Sequence, residues 1–182
     1  MNKRIGLFAF GLFVATVYGA NYAIKHIGVV CVPDGPCLVP VWPGIMAPSG
    51  VLFAGLALTL RDVVQRYMGF WWSWLAVGIG AALSALLDPS LALASGGAFL
   101  LAETLDLFVY TPLQRRNLYV AVIASNTVGL VVDSVVFLTL SGLPMSLIVG
   151  MVIGKAWMTL AALPIIEWMR RQSQAGAVGI GG

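Results

Sequence analysis

Apolar runs of about twenty residues recur from one end of this 182-residue chain to the other. A helix needs a run of that length to cross roughly 30 Å of hydrocarbon. The chain is 60% hydrophobic and only 9% charged, where soluble domains carry roughly a quarter charged residues. A water-soluble core cannot use that much apolar surface. The fold class read from the residues is therefore an all-α integral membrane protein built as one domain over residues 1–171, followed by a flexible cytoplasmic tail, 172–182, that is rich in glycine.

Six membrane-spanning helices are predicted, at Ile5 to Ile24, Ser49 to Tyr67, Phe70 to Leu87, Leu91 to Tyr110, Leu118 to Leu140 and Met145 to Met169. The breaks fall at the proline-rich stretch from Val32 to Pro48, at Met68-Gly69, at Asp88-Pro89-Ser90, at Thr111-Pro112 before Arg115 and Arg116, and at Ser141-Gly142-Leu143-Pro144. Basic residues then set the orientation, because loops on the cytoplasmic side hold the excess of Lys and Arg. Lys3, Arg4, Arg66, Arg115, Arg116, Arg170 and Arg171 share one side and Lys25 lies opposite, which puts both termini in the cytoplasm of a cell-membrane protein. The net charge of +3 thus reads as a topology signal rather than a nucleic-acid surface, since the bases sit at segment ends and not along one face. Trp71, Trp72 and Trp74 open the third helix where indoles favour the headgroup layer.

Cys31 and Cys37 stand in the first external loop, in an oxidising compartment, so they form a candidate disulfide. Two thiols without histidines nearby make a poor metal site, and no metal or other cofactor is expected. His26, the single histidine, reads as a residue of the membrane edge.

The residues that lipid should exclude carry most of the information. Arg61, Asp62, Glu103, Asp106, Asp133 and Lys155 lie inside the spans, with Gln65, Asn126, Thr127 and Ser134 beside them. Each charge costs on the order of 2.5 to 3.5 kcal/mol at a helix centre, so it needs a partner or a cavity. Asn126 and Asp133 are seven apart and share a helical face, as do Thr127 and Ser134; Glu103 and Asp106 are three apart on the fourth helix. At about 1.5 Å per residue, Lys155 lies about 15 Å, Glu103 about 18 Å and Asp133 about 10 Å below their external boundaries. Three helices can thus bring these side chains together near the midplane. Asp62 and Arg66, four apart, make a candidate structural or gating pair. The carboxylates outnumber the in-span cations, and a dry interior holds that excess only if it is protonated, hydrated or matched by a cationic or donor-rich solute. A carboxylate accepts two parallel hydrogen bonds and so suits a guanine-like edge, with Trp157, Tyr110 or Phe99 available to stack on a flat ring.

At these positions the chain resembles the vitamin uptake transporter family, described as queuosine precursor transporters. The resemblance rests on Asp62-x-x-x-Arg66-x-x-Gly69, on Ala94-Ser95 through Ala102-Glu103-x-Leu105-Asp106-x-x-Val109-Tyr110, and on Ser125-Asn126-Thr127-Val128-Gly129 to Asp133-Ser134, with Asn21-Tyr22 and Lys155 at either end. Glu103 stands where some relatives carry Gln, and the Cys31 to Cys37 loop departs from the family pattern. The resemblance implies six helices in a fold similar to vitamin-binding S-components and uptake of 7-deazaguanine precursors of queuosine. It also implies that Glu103, Asp106, Asn126, Asp133 and Lys155 line the substrate pocket. The expected partners are a nucleobase-like small molecule and the lipid bilayer, not nucleic acid, with a homo-oligomer or an energising partner left open.

The alternative function is a substrate-binding membrane subunit, for another vitamin or nucleobase, that needs an energising partner; the chain itself contains no G-x-x-x-x-G-K-[ST] phosphate loop. An enzyme is not expected, because the chain shows neither a His/Cys cluster nor a Ser-His-Asp set.

Overall fold

The computed structural model describes residues 3–33, 35–87, 92–165, 167, 168 and 171. The chain runs α1 (Lys3–His26), β1 (Val30–Cys31), β2 (Cys37–Trp42), β3 (Ile45–Pro48), α2 (Val51–Met68), α3 (Phe70–Leu87), α4 (Ala92–Leu113), α5 (Leu118–Ser141), a 3-10 turn (Met145–Leu147) and α6 (Ile148–Ala161). Among the described residues five stretches are long and apolar enough to cross a membrane: α1, α3, α4, α5 and Met145–Ile165. The remaining helix, α2, matches α3 at 18 residues but carries Arg61, Asp62 and Arg66.

Packing explains how α2 tolerates that load. It packs against α1, α3, α5 and α6, and Thr59, Arg61, Asp62 and Gln65 are all buried along it. Lipid meets the outer helices instead: Leu93 and Trp71 are more than four-fifths exposed, at 85% and 81%. Close approach between α2 and α6 depends on Gly55, where a Cβ would fall 2.8 Å from the Cα of Lys155. Gly69 ends α2 at φ 96°, a backbone angle glycine adopts without a Cβ penalty, and its N–H closes the last turn on the Gln65 carbonyl at 2.9 Å.

Two helices depart from the expectation. The fourth helix does not stop at Thr111-Pro112 but continues through Pro112 to Leu113. In the last turn a proline forfeits one backbone hydrogen bond, while Gln114 N–H still reaches the Tyr110 carbonyl at 2.9 Å and Thr111 Oγ1 donates to the Leu107 carbonyl at 2.6 Å. The last helix is interrupted once, at Ala162, and helical backbone resumes over 163–165 and at 167, 168 and 171 among the described residues. Met169, Arg170, the Asp88-Pro89-Ser90 turn and the tail 172–182 lie outside the described residues.

The proline-rich first loop is a three-stranded antiparallel sheet in the order β1-β2-β3, an addition to the all-α reading. Its strands hold Val30, Val39, Val41 and Trp42, which favour extended backbone. Pro43-Gly44 makes the β2–β3 turn with Gly44 at φ 75°, as a turn with proline second and glycine third requires. Cys31 and Cys37 are cross-strand partners joined by a disulfide. The sheet is fastened to the bundle: Trp157 Nε1 donates to the Val41 carbonyl at 3.1 Å, Trp42 stacks on Trp157 at 6.0 Å, and Ser49 Oγ donates to the Ala23 carbonyl at 2.6 Å.

A disulfide closing so short a loop restricts the open chain by about 2 kcal/mol. Replacing Cys31 and Cys37 together by Ser is expected to speed amide hydrogen exchange across residues 37–48 by roughly tenfold or more while leaving the centre of α5 unchanged, as read by exchange mass spectrometry.

Candidate functional site

Arg61 is the most heavily engaged side chain in the bundle. It is wholly buried on α2, and each guanidinium nitrogen faces a carboxylate: Nε donates to Glu103 Oε2 at 2.8 Å, Nη1 lies 2.9 Å from Asp62 Oδ1, and Nη2 pairs with Asp106 Oδ2. Nη1 also reaches Gln65 Oε1 at 3.4 Å, and Gln65 Nε2 donates to Thr111 Oγ1 at 2.8 Å. The guanidinium carbon sits 5.8 Å from the Tyr110 ring centroid, within range of a cation–π contact. The backbones of α2 and α4 barely approach one another. The long side chain of Arg61 therefore spans the space between these helices.

One guanidinium thus faces three carboxylates, all at most 1% exposed. Glu103 Oε1 and Asp106 Oδ1 accept no hydrogen bond among the described residues. The i, i+4 spacing points to Arg66 as the partner of Asp62, whereas the 2.9 Å contact in the structure is with Arg61.

A second ion pair joins α5 and α6. Lys155 Nζ, from α6, pairs with Asp133 Oδ2 and donates to Ser134 Oγ at 2.9 Å, both on α5. Ser134 in turn donates to the Leu130 carbonyl at 2.6 Å. Lys155 is 1% exposed and Asp133 is 18% exposed, so this carboxylate is the one that opens onto space.

Two adjoining cavities surround the pair. The larger, about 80 Å³, sits beneath the sheet and is walled by Asn21, Ser84, Ser95, Phe99, Asp133 and Lys155 among its residues. The smaller, about 10 Å³, is lined by Phe99, Glu103, Asp133 and Lys155 among others. Glu103, Asp133 and Lys155, on three helices, therefore share one hollow. Glu103 also touches Arg61, so it connects the hollow to the deeper charge cluster.

The remaining expected residues fall elsewhere. Asp106 and Asn126 line neither cavity: Asp106 is committed to Arg61, and Asn126 Nδ2 donates to Thr59 Oγ1 at 3.2 Å. Thr127 is exposed and bonds back to the Ile123 carbonyl at 2.6 Å, so it does not share the buried environment of Ser134. Of the three aromatics, only Phe99 borders the cavity; Tyr110 lies against Arg61 and Trp157 against Trp42. Among the described residues, no group of three or more His, Cys, Asp or Glu side chains is arranged to hold a metal ion. Ser84 was not legible as a cavity residue, because serines are common in apolar helices and nothing in α3 marks it apart from Ser73.

Removing Arg61 would leave buried carboxylates without their cation, at a cost of about 3–5 kcal/mol. Arg61→Ala is expected to lower the melting temperature of the detergent-solubilised protein by roughly 10 °C. Adding Glu103→Gln and Asp106→Asn to that variant should recover part of the loss, measured by thermal unfolding.

A family model described as "Putative vitamin uptake transporter" matches residues 5–169. No curated protein and no solved structure matches the chain.

Proposed function

The chain belongs to the vitamin uptake transporter family and is a multi-pass membrane protein, and we propose that it takes up 7-deazaguanine bases, precursors of queuosine, into the cytoplasm. The transmembrane domain over 1–171 performs this work with six spans, α2 being the sixth, and with both termini cytoplasmic. The sheet then covers the external face. Basic residues concentrated at the opposite end of the helices support that orientation.

The single observation that carries the substrate reading is the Asp133–Lys155 pair bordering a cavity beside Phe99. Lys155 has three N–H donors, of which Asp133 and Ser134 take two. The third N–H and the second oxygen of Asp133 offer a donor and an acceptor side by side. A lactam edge, with adjacent ring N–H and C=O, is complementary to that arrangement, and the Phe99 ring supplies a face against which a flat base can lie. Glu103 adds an acceptor deeper in, suited to an exocyclic amine.

Size indicates how the solute must enter. At about 10–15 Å³ per water, the larger cavity holds on the order of six waters, well under the 300–1,000 Å³ or so of ordinary ligand sites. A two-ring base requires the walls to part. Such parting during passage is what alternating access demands.

Liposomes containing the purified protein are expected to accumulate labelled 7-deazaguanine, with Asp133→Asn and Lys155→Met each reducing the rate at least about tenfold and Thr127→Ala leaving it unchanged. In cells unable to make the precursor, expression should restore queuosine in tRNA at low external base. Absence of rescue despite membrane insertion would overturn the reading.

A further inference from the structure

The cavity bordered by the ion pair is also walled by a hydrogen-bonded trio from three other helices: Asn21 on α1, Ser84 on α3 and Ser95 on α4. Helix association does not require it. Gly80 and Gly96 already let α3 and α4 approach, with Phe99 against the first and Ala81 and Ala85 against the second. Asn21 and Ser84 are 8% and 2% exposed, and polar groups so placed in a bundle must find partners in protein or solute.

Hydrogen-bond accounting leaves the trio incomplete. Asn21 Nδ2 donates to the Val17 carbonyl at 2.9 Å and to Ser84 Oγ at 3.3 Å, which uses both amide hydrogens and fixes the orientation of the amide. Ser84 lies 2.5 Å from Ser95 Oγ and 3.4 Å from Asn21 Oδ1. A serine has one hydrogen to give. If it goes to Ser95, the Asn21 carbonyl keeps both lone pairs and the Ser95 O–H points onward. If it goes to Asn21, one lone pair still remains. In either arrangement the Asn21 carbonyl accepts a further hydrogen bond, and in the first the Ser95 hydroxyl donates one beside it.

We propose that Asn21, Ser84 and Ser95 form a second hydrogen-bonding subsite that reads the five-membered-ring edge of the base. Asn21 Oδ1 accepts from the ring N–H that carries the sugar in nucleosides, and Ser95 donates to the acceptor nitrogen of the six-membered ring next to it, since the seven position is carbon. Ser84 positions both. The subsite rests on the deazaguanine reading above, with the Asp133–Lys155 pair holding the lactam edge at the other end. A base whose ring N–H is replaced by a substituent loses the donor that Asn21 needs, so the pocket takes free bases and rejects nucleosides.

Dissociation constants for 7-deazaguanine and 9-methyl-7-deazaguanine, measured on the detergent-purified full chain by calorimetry, test this directly. The unaltered protein is expected to prefer the unmethylated base by about tenfold or more. In Asn21→Leu that preference should fall to within about threefold, through weaker binding of the unmethylated base alone. Asn21→Ala provides the same comparison if the leucine variant does not fold. Equal weakening of both bases, or no preference in the unaltered protein, overturns the subsite while leaving the uptake reading intact. Failure of the unaltered protein to bind either base removes the uptake reading, and the subsite with it.

Discussion

The structure is organised around one buried guanidinium. Arg61 carries three carboxylate contacts in a bundle whose outer surface is apolar, and such an assembly is tolerable only where no acyl chain reaches it. That constraint places α2 at the centre, wrapped by α1, α3, α5 and α6. It also keeps α2 and α4 apart by the length of an arginine side chain, since Glu103 and Asp106 must meet its nitrogens. The fork geometry of arginine suits this role where a lysine would not, because three separate N–H directions are used at once.

From that centre the polar groups continue in steps toward the sheet. Glu103 pairs with Arg61 and also lines the small hollow; Asp133 and Lys155 border both hollows; the Asn21–Ser84–Ser95 trio lines the larger one. Gly55 sets the spacing, because its missing side chain lets α6 come close enough to hold Lys155 over α2. The sheet closes the top through the Trp42–Trp157 stack and the Ser49 bond to α1. Charge, hollow and cover therefore form one column, which is the arrangement a solute crossing the bundle would meet.

Much of this is legible in the sequence alone. Helical spans follow from apolar length alone, and α3 matches its predicted limits at Phe70 and Leu87. The in-span charges announced themselves by their cost in hydrocarbon, and Glu103, Asp133 and Lys155 do line a common hollow. Partner choice was another matter. Asp62 meets the buried Arg61 beside it, a contact that the i, i+4 spacing to Arg66 does not announce, because the angular spacing of a single helix says nothing about which neighbouring helix supplies the other carboxylates. Thr127 and Ser134 share a helical face yet differ in exposure, because burial depends on what covers each depth of that face.

By itself, then, the sequence determined that the chain is a membrane bundle and which residues cannot face lipid, since both follow from the local free energy of placing a side chain or a backbone group in hydrocarbon. The tertiary structure alone decided that Arg61 is the hub, that Asp106 and Asn126 lie off the cavity, that Ser84 joins Asn21 and Ser95, and that the first loop is a sheet. Those outcomes depend on distances between segments far apart in the chain. No periodicity within one segment encodes them.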